Sequence, residues 1–216
     1  MRIQGYIALL LFIGAAAATP GCAQDLSGRE LIDALRRGGY NIYFRHAATD
    51  WSRDDHISGP GDWTSCDPQR MRQLSAEGRT VAEGIGSAIR SLGIPIGRVF
   101  ASEYCRARET AQHLGLGPVS PTLAVMNMRA AQFFAGGRQT LIERARQALS
   151  TPPQAGTNTV FVAHGNLMQA VSEAYVVEAG AAVFLPQGNG QFRLVAKLTP
   201  EAWHALAREH TPEPPS

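Results

Sequence analysis

Two histidines and two arginines carry the chemistry open to this chain. Arg45-His46 closes the apolar run that begins at Asn41, and His164 follows a second such run over residues 158–163. Arg106 comes shortly after Ser102, where a third run ends. Runs of this length rich in β-branched and aromatic residues read as buried strands, so each delivers polar residues to a strand's carboxyl end. That is where open α/β sheets place their ligands. Two guanidinium groups and two imidazoles gathered at one edge make a pocket of positive charge, and phosphate suits guanidinium forks best. An imidazole among them can attack phosphorus, dividing a hydrolysis into transfer to nitrogen and release to water.

The elements that must position these residues follow from periodicity. Residues 27–37 read as a helix with Ser27 as N-cap and Glu30 completing a capping box, ended by Gly38-Gly39. A strand over 40–44 leads into a loop, residues 47–70, rich in Asp, Ser, Gly and Pro; a loop of that length in a compact domain is usually functional. The next helix, 75–92, opens at Ser75 and Glu77. It buries Val81, Ile85, Ile89 and Leu92, and its Gly78, Gly84 and Gly86 allow close approach to a neighbour. A strand over 98–102 and a helix from Cys105 follow. Residues 115–136 lack a clear period, with a short strand expected near 122–125. Beyond them come a helix over 140–149, a strand over 159–163 and a helix over 166–174. A hairpin around Gln187-Gly188-Asn189-Gly190, a helix from Pro200 and a tail at 212–216 complete the chain. Alternating strands and helices predict a three-layer α/β/α sandwich with a mostly parallel central sheet. One domain, residues 24–216, is expected for a chain of 216 residues.

Residues 1–23 read as a secretory signal peptide, with Arg2 in the positive region, an apolar core over 7–18 and small residues before Asp25. The core is too short to span a bilayer. Cleavage after Ala23 is expected over lipid attachment at Cys22, because Thr19 stands where lipid-attachment signals usually carry Leu. The mature chain is then periplasmic or secreted and keeps Cys66 and Cys105, which either pair or stay as buried thiols; we expect a pair. The net charge of +2 arises from interspersed charges and not from a basic tract, so no nucleic-acid surface is expected.

Four motifs in order, Arg45-His46-Ala47-Ala48-Thr49, Leu74-Ser75-Ala76-Glu77-Gly78, Ser102 through Arg106 to Thr110-Ala111, and Val162-Ala163-His164-Gly165, resemble the histidine phosphatase superfamily, the phosphoglycerate mutase-like proteins. The resemblance implies that family's α/β sandwich. It also implies His46 as nucleophile, Arg45 and Arg106 as grips on the phosphoryl oxygens, and His164 as the residue that completes the pocket. Thr49 and Asp50 join them as expected substrate-binding residues. No cofactor or metal is expected, since the arginines supply the charge stabilisation that metals give elsewhere. The partner expected is a small phosphorylated substrate.

The sequence departs from the family at Ala47, where Gly is usual, at Glu103, where Pro is frequent, and at Asn166, where acid phosphatases carry Asp. Met128 occupies the expected position of the acidic proton donor, and no Asp or Glu lies between Glu109 and Glu143. The carboxyls expected near the pocket are therefore Asp50 and Glu103, with Glu103 favoured as donor because a strand end holds it. Asp50, Asp54, Asp55 and His56 are expected in a solvated acidic loop and not in a metal site, and His113, His204 and His210 as ordinary helix or tail residues. Three functions fit: an exported phosphomonoesterase, a phosphatase for phosphohistidine or other phosphoramidates, and an envelope module that binds phosphoryl groups without turnover. A mutase does not fit, because long substrate-covering insertions are not evident.

Overall fold

Nearly every residue of β1 (Asn41–Arg45) is buried, because the strand lies inside the sheet with both faces covered. The computed structural model describes residues 25–210; the leader read over 1–23, Cys22, the expected mature start at Gln24 and the tail at 212–216 lie outside the described residues. The other strands are β2 (Ile96–Ser102), β3 (Val119–Thr122), β4 (Asn158–Ala163), β5 (Ala181–Gly188) and β6 (Gln191–Leu198). They form one six-stranded sheet in the order β3-β2-β4-β1-β5-β6. The first four run parallel, and the β5/β6 hairpin adds an antiparallel edge. Asn189 and Gly190 turn that hairpin with φ of 50° and 74°, the left-handed pair that matches strand twist in a two-residue loop.

Alternation along β1 sets the two outer layers. Phe44 stacks on Trp203 of α6 (Pro200–His210), whereas Asn41 Nδ2 donates to the carbonyls of Leu149 and Thr151 at the end of α4 (Gly137–Ser150). Helices α1 (Gly28–Arg37), α2 (Ala76–Ser91) and α3 (Cys105–Leu114) share the α6 side through α1–α6, α2–α6 and α2–α3 packing. Helix α5 (Gly165–Ser172) packs on α4. This is the expected three-layer sandwich. Among the described residues, no helix is long and apolar enough to cross a membrane.

Several local expectations are corrected. Ser27 makes no side-chain cap, so the capping box at Glu30 does not form. The short strand lies earlier than 122–125: β3 ends at Thr122 with Pro121 inside it, and a 3₁₀ turn, Leu123–Val125, follows. That placement works because β3 is the sheet's edge, where a missing N–H costs no ladder bond. Val81 is only half-buried, while Ala82, Ile85, Ala88 and Ile89 form the covered stripe of α2. Gly86 lies against the Leu114 carbonyl, where a Cβ would collide with backbone, and so lets α2 and α3 meet closely.

Parallel neighbours β2, β4 and β1 end side by side, with Arg45 in register with Ala163 and Val162 with Ala101. Their carboxyl ends therefore deliver His46, His164 and the start of α3 to one place.

Candidate active site

The backbone around His46 is fastened on every side. His46 N–H donates to the Ala163 carbonyl at 2.8 Å, the His46 carbonyl accepts from Ala179 N–H at 3.1 Å, and Ala47 N–H donates to Thr110 Oγ1 at 3.1 Å. The ring orientation is set as well: Nδ1 lies 2.9 Å from the Ala47 carbonyl, which can only accept, so Nδ1 carries the proton and Nε2 keeps its lone pair, which accepts from Arg106 Nε–H. Burial, and then the Arg106 charge, hold the His46 imidazole well below its usual range, so the ring is neutral.

Arg106 faces that lone pair, with Nε 3.3 Å from His46 Nε2. It leaves the first turn of α3 nearly fully buried, and its charge is met by Asp55, whose two oxygens take Nη1 and Nη2 at 2.9 and 3.0 Å. His164 begins α5 with its backbone gripped by the Tyr43 hydroxyl, which donates to the His164 carbonyl at 2.9 Å and accepts from its N–H at 3.1 Å. His164 Nε2 meets Ser102 Oγ at 2.9 Å, and the buried Nδ1 has no partner among the described residues. Burial, followed by Arg106, keeps this ring neutral too. Arg45 is tethered by the Val176 carbonyl and the Glu178 carboxylate, each at 3.3 Å.

These groups line a pocket of about 230 Å³ with Trp51, Arg72, Asn127, Arg129 and Tyr175. Four guanidinium groups line it; Asp55, also in the lining, pairs with Arg106, and Glu178, outside the lining, pairs with Arg45, which leaves an excess of two positive charges among the described residues. One phosphomonoester dianion matches that excess. A second hollow of about 520 Å³, lined by Asn41, Phe100, Phe161 and Arg98 on the α4 face, contains neither histidine.

A model of the histidine phosphatase superfamily, branch 1, matches residues 42–133, the stretch that contains Arg45, His46 and Arg106. Over those residues the chain is similar to that superfamily. Its fold is similar to that of solved structures at low identity. The protein histidine phosphatase SixA complexed with tungstate aligns with a TM-score of 0.53 and 14% identity over 74% of this chain and 97% of that one. The Rv3214 product of Mycobacterium tuberculosis gives 0.51 and 20% over 76% and 100%. The alpha-ribazole phosphatase of Shigella flexneri gives 0.51 and 14% over 74% and 96%. Curated protein sequences give no significant match.

Arg45, His46, Arg106 and His164 meet in one pocket, as the resemblance implied, but the expected carboxyls do not join them. Glu103 turns away to accept from Trp63 Nε1 at 2.9 Å and is not among the lining residues. Asp50 is exposed and caps its own turn, accepting from Ser52 N–H and Oγ. Those two bonds lead in holding its carboxyl below the usual range. Thr49 is buried in a bridge to Leu74, outside the lining. Asp55 reverses the solvated-loop expectation, because its side chain is 1% exposed and lies on Arg106. Arg72 and Arg129 were not singled out in the sequence. Arg72 is buried with its guanidinium 3.7 Å from the Trp51 ring centre, and only its place just ahead of Leu74-Ser75 hinted at the site. Among the described residues, no three His, Cys, Asp or Glu side chains gather as a metal site requires.

Proposed function

We propose that this chain is an exported phosphatase that hydrolyses phosphomonoesters through a phosphohistidine on His46. The observation that carries the reading is the neutral His46 ring with its Nε2 lone pair directed to the edge of Arg106, in a pocket with two uncompensated positive charges. Nε2 attacks phosphorus as the bond to the leaving oxygen breaks. Arg45, Arg106 and Arg72 neutralise the phosphoryl oxygens, and His164 Nδ1 meets one of them. Water then cleaves the N–P bond, giving inorganic phosphate and the neutral ring again.

Because Glu103 and Asp50 are turned elsewhere, the reading favours leaving groups that depart without a strong acid; aryl phosphates and phosphoramidates fit better than alkyl esters. Export is part of the proposal. It is supported by the leader read over 1–23 and by the Cys66–Cys105 disulfide, a bond that persists in oxidising compartments.

The test is to incubate the purified chain with an aryl phosphate. Phosphate release, an acid-labile phosphoryl label on His46 and the loss of both in His46→Ala are the expected results. Binding of phosphate without release would leave a binding module in its place. Fractionation of expressing cells, with the N-terminal residue of the exported form read directly, tests the leader: a retained residue 1 in the cytosol would overturn export.

A further inference from the structure

Asp55 is the unexpected member of the pocket, and its geometry is particular. A guanidinium group presents its five N–H bonds in one plane, along an end edge formed by Nη1 and Nη2 and a side edge that includes Nε. In Arg106 these edges are divided: the end edge is taken by both Asp55 oxygens, and Nε points to His46 Nε2. Asp55 is itself braced, since Oδ1 also accepts from Arg72 N–H at 3.1 Å.

The loop that carries Asp55 is fastened to the start of α3 at neighbouring points: Trp63 to Glu103 by a hydrogen bond, Cys66 to Cys105 covalently, and Thr64 to Arg108 by a 2.7 Å bond. We infer that Asp55 is a positioning residue, which holds the end edge of Arg106 so that its Nε edge stays turned toward the phosphoryl group arriving on His46. The inference builds on the phosphatase reading above. Two other roles are disfavoured by the same contacts. A competitor for the phosphoryl group would occupy the edge that faces His46, and Asp55 occupies the other. A proton donor would turn an oxygen toward the leaving group, and both oxygens are engaged by Arg106.

Asp55→Asn keeps the shape and removes one arm of the fork. Its kcat is expected to fall about 10- to 100-fold on aryl and alkyl phosphates alike, the size a displaced catalytic group produces. Inhibition by inorganic phosphate should shift by less than about threefold, since the charge lost is on the far edge. In nitrogen-resolved NMR, the Arg106 Nε–H signal should be slow to exchange in the wild type and exchange-broadened in the variant. Asp54→Asn, at an exposed neighbour, should change none of these. Phosphate bound tenfold tighter with kcat retained would make Asp55 a competitor; a loss confined to alkyl esters would make it the acid; an unaltered Arg106 signal would overturn positioning outright. A wild type that releases no phosphate would sink the phosphatase reading, and the Arg106 signal would still judge Asp55. Asp55→Glu, which keeps the charge and displaces it by one methylene, carries the same test if the Asn variant does not fold.

Discussion

The carbonyl of Ala48 accepts two hydrogen bonds from Ser75, one from its N–H at 3.0 Å and one from its Oγ at 3.2 Å. The same Oγ caps α2 by accepting from Gly78 N–H at 2.9 Å. The helix start thus braces the chain two residues past His46, and Gly78 is required because a Cβ there would collide with the Ala48 carbonyl. Gly78→Ala should destabilise by about 1–3 kcal/mol through overpacking and lower kcat by displacing the His46 loop. Ser75→Ala should cost about 1 kcal/mol for the lost cap. Thermal denaturation alongside turnover checks both; an unchanged Gly78→Ala would mean the contact yields freely.

Arg106→Lys keeps a charge but loses the fork. Both the Nε contact to His46 and the paired bonds to Asp55 depend on the planar group. A fall in kcat of about 10²–10³ is expected, with a smaller change in phosphate inhibition, because the lost donors matter most as charge rearranges on the phosphoryl oxygens. Equal changes in both would assign Arg106 to binding alone.

Glu103→Gln should leave turnover within about threefold on substrates of any leaving-group pKa, since the amide oxygen can still accept from Trp63. A steeper dependence on leaving-group pKa in the variant, measured over a series of aryl and alkyl phosphates, would return Glu103 to the role of donor.

Stability should fall as the solution is acidified below the ordinary histidine pKa. His46 and His164 are held below it by burial and by Arg106, so between the folded values and about 6.5 the unfolded chain binds protons that the folded chain refuses. The unfolding free energy then rises with pH through that window, with a slope approaching about 1.4 kcal/mol per pH unit for each ring. Urea denaturation at a series of pH values measures it. A flat profile from pH 7 down to pH 5 would show that neither ring is held neutral.

The disulfide closes a loop with a sequence separation of 39 residues, so its removal should cost up to about 3–4 kcal/mol on the chain-entropy scale. Cys66→Ser with Cys105→Ser should unfold at lower denaturant concentration than the wild type. The same pair of substitutions should lower kcat, since it frees the loop beside Arg106. An unchanged kcat would leave the other loop fastenings sufficient to hold the site.

The amino-acid sequence alone determined the sandwich and four of the pocket's residues. Arg45, His46 and His164 sit directly at the ends of apolar runs, and a parallel sheet must bring such ends together whatever the loops do. Arg106 is set by the short step from the end of β2 into α3. The leader and the tail, read from composition, lie outside the described residues. The tertiary structure decided which carboxylates face the pocket. Asp50 and Glu103 are nearest in sequence to the site residues, yet the one caps its own turn and the other accepts from Trp63. Asp55 lies deep in a loop without hydrophobic period. Its place on Arg106 depends on where that loop is tied down, by Cys66 to Cys105, by Thr64 to Arg108 and by Trp63 to Glu103. Strand ends are fixed by local pattern and sheet register, whereas a long polar loop takes its course from contacts between residues far apart in the chain, which spacing along one strand or helix does not encode.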